Sequence, residues 1–125
     1  MAGTDPASVI DLFADAYNSG ADDKLLSLCS EDILVVHHNR DITINGREAF
    51  AALLANFKGA FPDKHFENRR GRYVDGEKVI VEHTWTGTAA ADVPGWAQTG
   101  EVARLDLCTV YTVRDGLVVE YHDYG

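Results

Sequence analysis

Apolar residues recur at helical spacing in the first half of the chain and alternate with polar residues in the second half. The helical spacing of three to four residues predicts helices near residues 4–18, 22–29 and 47–61. The first helix should begin at Thr4-Asp5-Pro6, where a capping side chain precedes a proline, and end at Asn18-Ser19-Gly20. Pro62 ends the third helix.

The remaining segments predict strands. Two short ones cover Ile33–His38 and Ile42–Ile44, and four longer ones cover His65–Val74, Lys78–Thr88, Thr99–Val113 and Leu117–Tyr124. Asp75-Gly76 and Asp115-Gly116 are tight-turn sequences, so the strands that they join should pair antiparallel. Helices followed by a meander of strands predict an α+β fold, with one domain spanning residues 1–125.

The alternation along the strands predicts an internal pocket, because side chains point to opposite faces in turn. The more apolar face of each strand carries one polar residue near its end: His83, Thr109, Asp123, and His37 if Ile33 and Val35 point inward. Buried polar groups cost free energy unless they are paired, so several that converge on one apolar interior indicate a ligand site. Taken singly, each also fits a satisfied core residue or a strand end.

Charge and composition narrow the function. The chain carries 20 acidic and 11 basic residues, a formal charge of −9, which disfavours nucleic-acid binding. We see neither a signal peptide nor an apolar run of about 20 residues, so a cytoplasmic protein without membrane contact is expected. Cys29, on a helix, and Cys108, on a strand, have no metal-ligand spacing and should be reduced, buried thiols.

Four segments carry motifs of a known family: Phe13–Asp32, with its Asn-x-Gly turn between helices; Asn45–Phe50; Thr84-Trp85-Thr86-Gly87-Thr88; and Val113–Asp123. They resemble the NTF2-like superfamily, in its SnoaL-like polyketide cyclase and ketosteroid isomerase-like members, over almost the whole chain. The resemblance implies a cone-shaped fold in which a curved antiparallel sheet wraps around three N-terminal helices. It leaves the activity open, because the family hosts isomerases, cyclases, hydrolases, dehydratases and non-enzymes.

The resemblance also implies roles for single residues. Asp123 falls where SnoaL-like cyclases keep their acid–base aspartate. His37 falls where ketosteroid isomerases keep an aspartate base, Phe13 where they keep an oxyanion-hole tyrosine, and Thr109 near their protonated aspartic acid. These three departures disfavour steroid isomerisation. Epoxide-hydrolase chemistry lacks its Arg-x-Asp pair, which would fall near Glu82 and Thr84.

We therefore expect an enzyme that transfers protons on a small, mostly apolar organic molecule, with neither metal nor cofactor. Desolvation in an apolar pocket makes a carboxylate more basic, and histidine titrates near neutrality. Asp123 with His37 or His83 would supply the catalytic pair. The expected substrate-binding residues are Phe13, Tyr17, Phe57, Trp85, Trp96, Thr109, Tyr111 and Tyr121.

Other functions stay open from the sequence. A ligand-binding module needs the pocket without the acid–base pair. An interaction domain would form a homodimer through the outer sheet face, which carries Cys108, Val110, Val118, Glu120, His122 and Tyr124. A metal site is disfavoured, because the five histidines show no ligand spacing.

Overall fold

The computed structural model describes residues 5–125, and its elements follow the predicted order. The helices are α1 (Pro6–Asn18), α2 (Asp22–Ser27) and α3 (Arg47–Ala60). The strands are β1 (Cys29–His37), β2 (Ile42–Asn45), β3 (His65–Asp75), β4 (Lys78–Thr88), β5 (Val102–Arg114) and β6 (Leu117–Tyr124). A 3-10 turn, His38–Arg40, links β1 to β2. The predicted α+β class is confirmed.

The start of α1 follows the sequence signal. The Asp5 side chain accepts a hydrogen bond from the backbone N–H of Ser8 at 3.2 Å, and Pro6 occupies the first helical position. Both features satisfy helix N-terminal geometry, because a cap accepts an orphan N–H and proline lacks one. Thr4, which was expected to share in this cap, lies outside the described residues.

All six strands belong to one sheet in the order β2-β1-β6-β5-β4-β3. Four of the five pairings are antiparallel, as expected for strands joined by turns. The pairing of β1 with β6 is parallel, so the sheet is mixed rather than wholly antiparallel. No turn joins these two strands, and the chain between them contains all the other strands. This pairing brings the carboxyl ends of β1 and β6 side by side.

The strand phase is as predicted for β1, β4 and β5, and it shifts on β6. Ile33, Val35 and His37 are buried together on β1, which settles the uncertain phase of that strand. On β6 a register shift opposite Thr112 and Val113 moves Val118 into the core, where it is fully buried. Val118 was expected on the outer face. A bulge inserts one residue and so reverses the alternation on one side of it.

Three local expectations need correction. Cys29 is the first residue of β1 rather than part of a helix, because α2 ends at Ser27. Its thiol is fully buried, whereas Cys108 is only half-buried on the outer face of β5; both cysteines are free. The fifth strand begins at Val102 rather than Thr99, since Gly100 adopts a positive φ of 86° in a turn.

Candidate active site

An apolar cavity lies between α3, the inner face of the sheet and the loop that follows β4. Its empty space, including the open solvent at its mouth, is about 400 Å³. Seven predicted site residues line it: Tyr17, His37, Phe57, Trp85, Trp96, Tyr121 and Asp123. Aromatic rings therefore make a large part of the wall, and a carboxylate and an imidazole are among its polar groups.

Strand register explains why these polar groups meet. His37 on β1 is paired with Asp123 on β6, and Asp123 is paired with Thr109 on β5. Residues directly opposite each other on neighbouring strands point to the same face. The three side chains therefore form a row across the inner face, although they lie far apart in the sequence. All three are buried.

Asp123 is hydrogen-bonded at one carboxylate oxygen and has a histidine close to the other. The Thr109 hydroxyl donates to Oδ1 at 2.6 Å, and His37 Nδ1 lies 3.0 Å from Oδ2. The His37 nitrogen is close to the carboxylate without being aligned for a hydrogen bond. The carboxylate side chain is 4 % exposed, so water has little access to it. Thr109 and His37 are therefore the polar groups that offset the cost of burying its charge.

His83 acts on Asp123 through Thr109. His83 Nε2 lies 2.8 Å from the Thr109 hydroxyl oxygen. Because that hydroxyl gives its single proton to Asp123, it can only accept from His83, which must carry a proton on Nε2. Burial lowers the pKa of His83 from 6.5 to about 4, so the ring is neutral at pH 7.

The structure places His83 outside the cavity that Asp123 and His37 share. It lines a second cavity, between α1 and the strands β3 and β4, and its ring stacks on Phe66 at 4.4 Å between centroids. His83 is paired with Leu107, two residues along β5 from Thr109, so it does not lie in the row formed by His37, Asp123 and Thr109. The expectation that both histidines face one cavity with Asp123 therefore needs correction.

Tyr17 adds a polar group to the cavity wall. Its hydroxyl oxygen accepts a hydrogen bond from Trp85 Nε1 at 2.8 Å. The hydroxyl proton is therefore free to donate to a ligand. Burial raises the pKa of Tyr17, which keeps the phenol protonated. The sequence predicts Tyr17 and Trp85 as wall residues, but it gives no sign of the hydrogen bond between them.

Three predicted binding residues do not line the cavity. Thr109 lies behind Asp123, while Phe13 and Tyr111 pack in the core beneath the wall. The Phe13 ring meets the rings of Tyr111 and Tyr121 edge-on, with centroids 5.5 and 5.6 Å apart. Phe13 and Tyr111 thus support Tyr121, which does reach the cavity.

Sequence reasoning missed Arg40, which ends the 3-10 turn after β1 and lines the same cavity. Its guanidinium carbon lies 5.9 Å from the centroid of the Trp96 ring. The available signal was its place three residues after His37, in the turn that follows the strand carrying this histidine. The other lining residues that were not named as site residues are Phe50, Leu53, Leu54, Leu105 and Leu107.

Other kinds of site find little support in the part of the chain that is described. Across residues 5–125, no three or more His, Cys, Asp or Glu side chains cluster as a metal ion requires. His38 and His122 do meet, with 2.9 Å between Nε2 and Nδ1, but on the outer face of the sheet. None of the helices in this range combines the length and the apolar character that crossing a membrane requires.

The curved sheet with helices on its inner face and a pocket at its centre defines an NTF2-like protein. The family model described as "SnoaL-like domain" matches residues 9–121, and the chain belongs to that family. None of the curated protein sequences compared with the chain matches it.

Solved structures share the fold. A proposed polyketide cyclase from Xanthomonas campestris pv. campestris is 21 % identical, with a TM-score of 0.85 over 96 % of this chain and 89 % of that one. Another from Silicibacter sp. TM1040 is 26 % identical, with a TM-score of 0.83 over 94 % and 86 %. A protein from Catenulispora acidiphila with a ketosteroid isomerase-like fold, in complex with trimethylamine, is 19 % identical, with a TM-score of 0.79 over 97 % and 87 %.

Proposed function

We propose that this protein is a cofactor-independent enzyme that transfers protons on a small, mostly apolar molecule, as an isomerase, cyclase or lyase. The observation that carries the proposal is the buried Asp123 carboxylate, which lines a largely aromatic cavity, accepts a hydrogen bond from Thr109 and lies beside His37. The proposed activity of the solved polyketide cyclases agrees with this chemistry, since aldol cyclisation begins with proton removal next to a carbonyl.

In this mechanism Asp123 is the general base. One of its oxygens is occupied by the Thr109 hydroxyl, and the other faces His37 and the cavity. A carbon acid bound against the aromatic wall would give its proton to the free oxygen. His37, carrying a proton, would then give it to another atom of the substrate, and the proton on Asp123 would pass to His37 Nδ1, 3.0 Å from Oδ2, which restores both groups.

Tyr17 would stabilise the negative charge that develops on the substrate oxygen. Its hydroxyl has a free proton and is fixed by the Trp85 indole, so it needs no reorganisation during the reaction. Thr109 and His83 are positioning residues, because they reach the substrate only through Asp123.

Deuterium exchange on a probe ketone tests the proposal. 2-Tetralone is apolar and has acidic protons next to its carbonyl, and their replacement in D2O is followed by proton NMR. We expect the protein to accelerate exchange and Asp123→Asn to lower the rate by about 100-fold or more. Glu120→Gln is the matched control, because Glu120 lies on the same strand and contacts His122 outside the pocket.

Two results would count against the enzyme. Exchange no faster than in buffer would remove the evidence for chemistry on this class of ketone, and equal rates in the two variants would remove Asp123 from the mechanism. Thermal unfolding of each variant shows whether it is folded. The alternative, a binding module without chemistry, predicts that ligand binding survives Asp123→Asn while no exchange is catalysed.

We also propose that the outer sheet face forms a homodimer. That face carries half-buried Cys108 and Val110 beside Tyr124, which is 43 % exposed. The Tyr124 ring stacks on His38 with 4.1 Å between centroids, giving a flat aromatic surface. Sedimentation at micromolar concentration should give twice the chain mass of 13.7 kDa, and a monomer would contradict the proposal.

A further inference from the structure

Arg40 differs from the other six arginines in making no hydrogen bond or ion pair with any residue between 5 and 125. The other six each donate to a carboxylate, a hydroxyl or a backbone carbonyl: Arg47, Arg69, Arg70, Arg72, Arg104 and Arg114. Arg40 Nε is buried with no hydrogen-bond partner within residues 5–125. A buried donor without an acceptor costs about 1–3 kcal/mol, and more when it is charged.

The position of Arg40 in the cavity wall suggests that it contacts a ligand bound there. It lines the cavity together with Trp96, and the guanidinium carbon lies 5.9 Å from the centre of the Trp96 ring. An aromatic face stabilises the cation without using its N–H groups, because the attraction is to the ring's π-electrons. The donors of Arg40 are therefore held in place and left free for a ligand.

We propose that Arg40 binds a carboxylate on the ligand, so that the pocket takes small aromatic or alicyclic carboxylic acids. A guanidinium matches a carboxylate with two parallel N–H···O bonds, a fit that a neutral oxygen does not offer. The acid would satisfy the unpaired donors of Arg40 while its apolar body covers the aromatic wall. This inference rests on the cavity being the ligand site of the proposed function.

The charges of the cavity also set the orientation of such a ligand. Asp123 and Arg40 both line it, with opposite charges. A ligand carboxylate would be attracted to Arg40 and repelled by Asp123, so the apolar end of the molecule would face Asp123. That is the end from which the proposed mechanism removes a proton. Arg40 would thus determine both which ligands bind and which carbon reacts.

Two naphthalene compounds with the same apolar body test the inference. 2-Naphthoate carries a carboxylate, and 2-naphthamide is a neutral compound of almost equal shape; both are titrated calorimetrically into the protein. We expect 2-naphthoate to bind the wild type at least about tenfold more tightly, because a charged hydrogen-bonded pair is stronger than a neutral one. Arg40→Gln should remove this preference, and Arg40→Lys should restore part of it.

Arg104→Gln is the matched control, since Arg104 pairs with Glu67 on the surface and should leave the preference unchanged. Equal affinities in the wild type, a preference that persists in Arg40→Gln, or no saturable binding of either compound would each overturn the inference. The outcome is separate from that of the proposed function, because 2-tetralone has no carboxylate. Acid binding without ketone exchange would count against the chemistry alone.

Discussion

The buried neutral His83 should make the fold sensitive to acid. Its pKa is lowered from 6.5 to about 4 because burial disfavours the charged ring, so the unfolded chain binds a proton that the folded protein does not. His83 therefore contributes stability that is fully present above pH 6.5 and is lost as the pH falls towards 4. The shift corresponds to roughly 3 kcal/mol in total and about 2 kcal/mol at pH 5.

Urea unfolding at pH 7 and pH 5 measures this loss. The variant His83→Gln does not titrate, and its amide can still donate to the Thr109 hydroxyl. We expect the wild type to lose about 2 kcal/mol more stability than the variant between the two pH values, while other titrating groups cancel in the comparison. An equal loss in both proteins, or an NMR titration of His83 near 6.5, would refute the argument.

Three further predictions concern the core and the thiols. A thiol reagent at pH 8 should modify Cys108 much faster than Cys29, because burial raises the pKa of Cys29 to about 12; equal rates by mass spectrometry would contradict this. Phe13→Ala should lower the free energy of unfolding by about 3–5 kcal/mol in urea titrations, since the ring is fully buried; a loss below about 1 kcal/mol would show that it is not packed. Gly87→Ala should cost about 1–3 kcal/mol in the same titration, because its Cβ would lie 2.9 Å from Cβ of Phe61, and an unchanged midpoint would refute that contact.

The sequence by itself determined the elements and most of their faces. Alternation on β4 and β5 placed His83 and Thr109 inside, and both are buried. This worked because a period of two leaves one choice once the apolar face is known. The family's motifs and the tight turns are both short local segments. For this reason the sequence alone was enough to recognise them.

Where the pattern failed, the cause lay outside the local sequence. The bulge opposite Thr112 and Val113 turned Val118 inward, and nothing in the alternation of β6 marks it. The parallel pairing of β1 with β6 joins strands that are far apart in the chain, so it cannot be predicted from a turn sequence between them. A one-residue offset between neighbouring strands is set by packing of the whole sheet.

The composition of the site was decided by tertiary structure. Register separates His37, which shares a cavity with Asp123, from His83, which reaches that carboxylate only through Thr109. Arg40 became a site residue because the turn after β1 places it against Trp96, a contact between distant segments. Side-chain alternation fixes which face a residue occupies, whereas the neighbours that it meets there depend on how strands and loops are stacked in three dimensions.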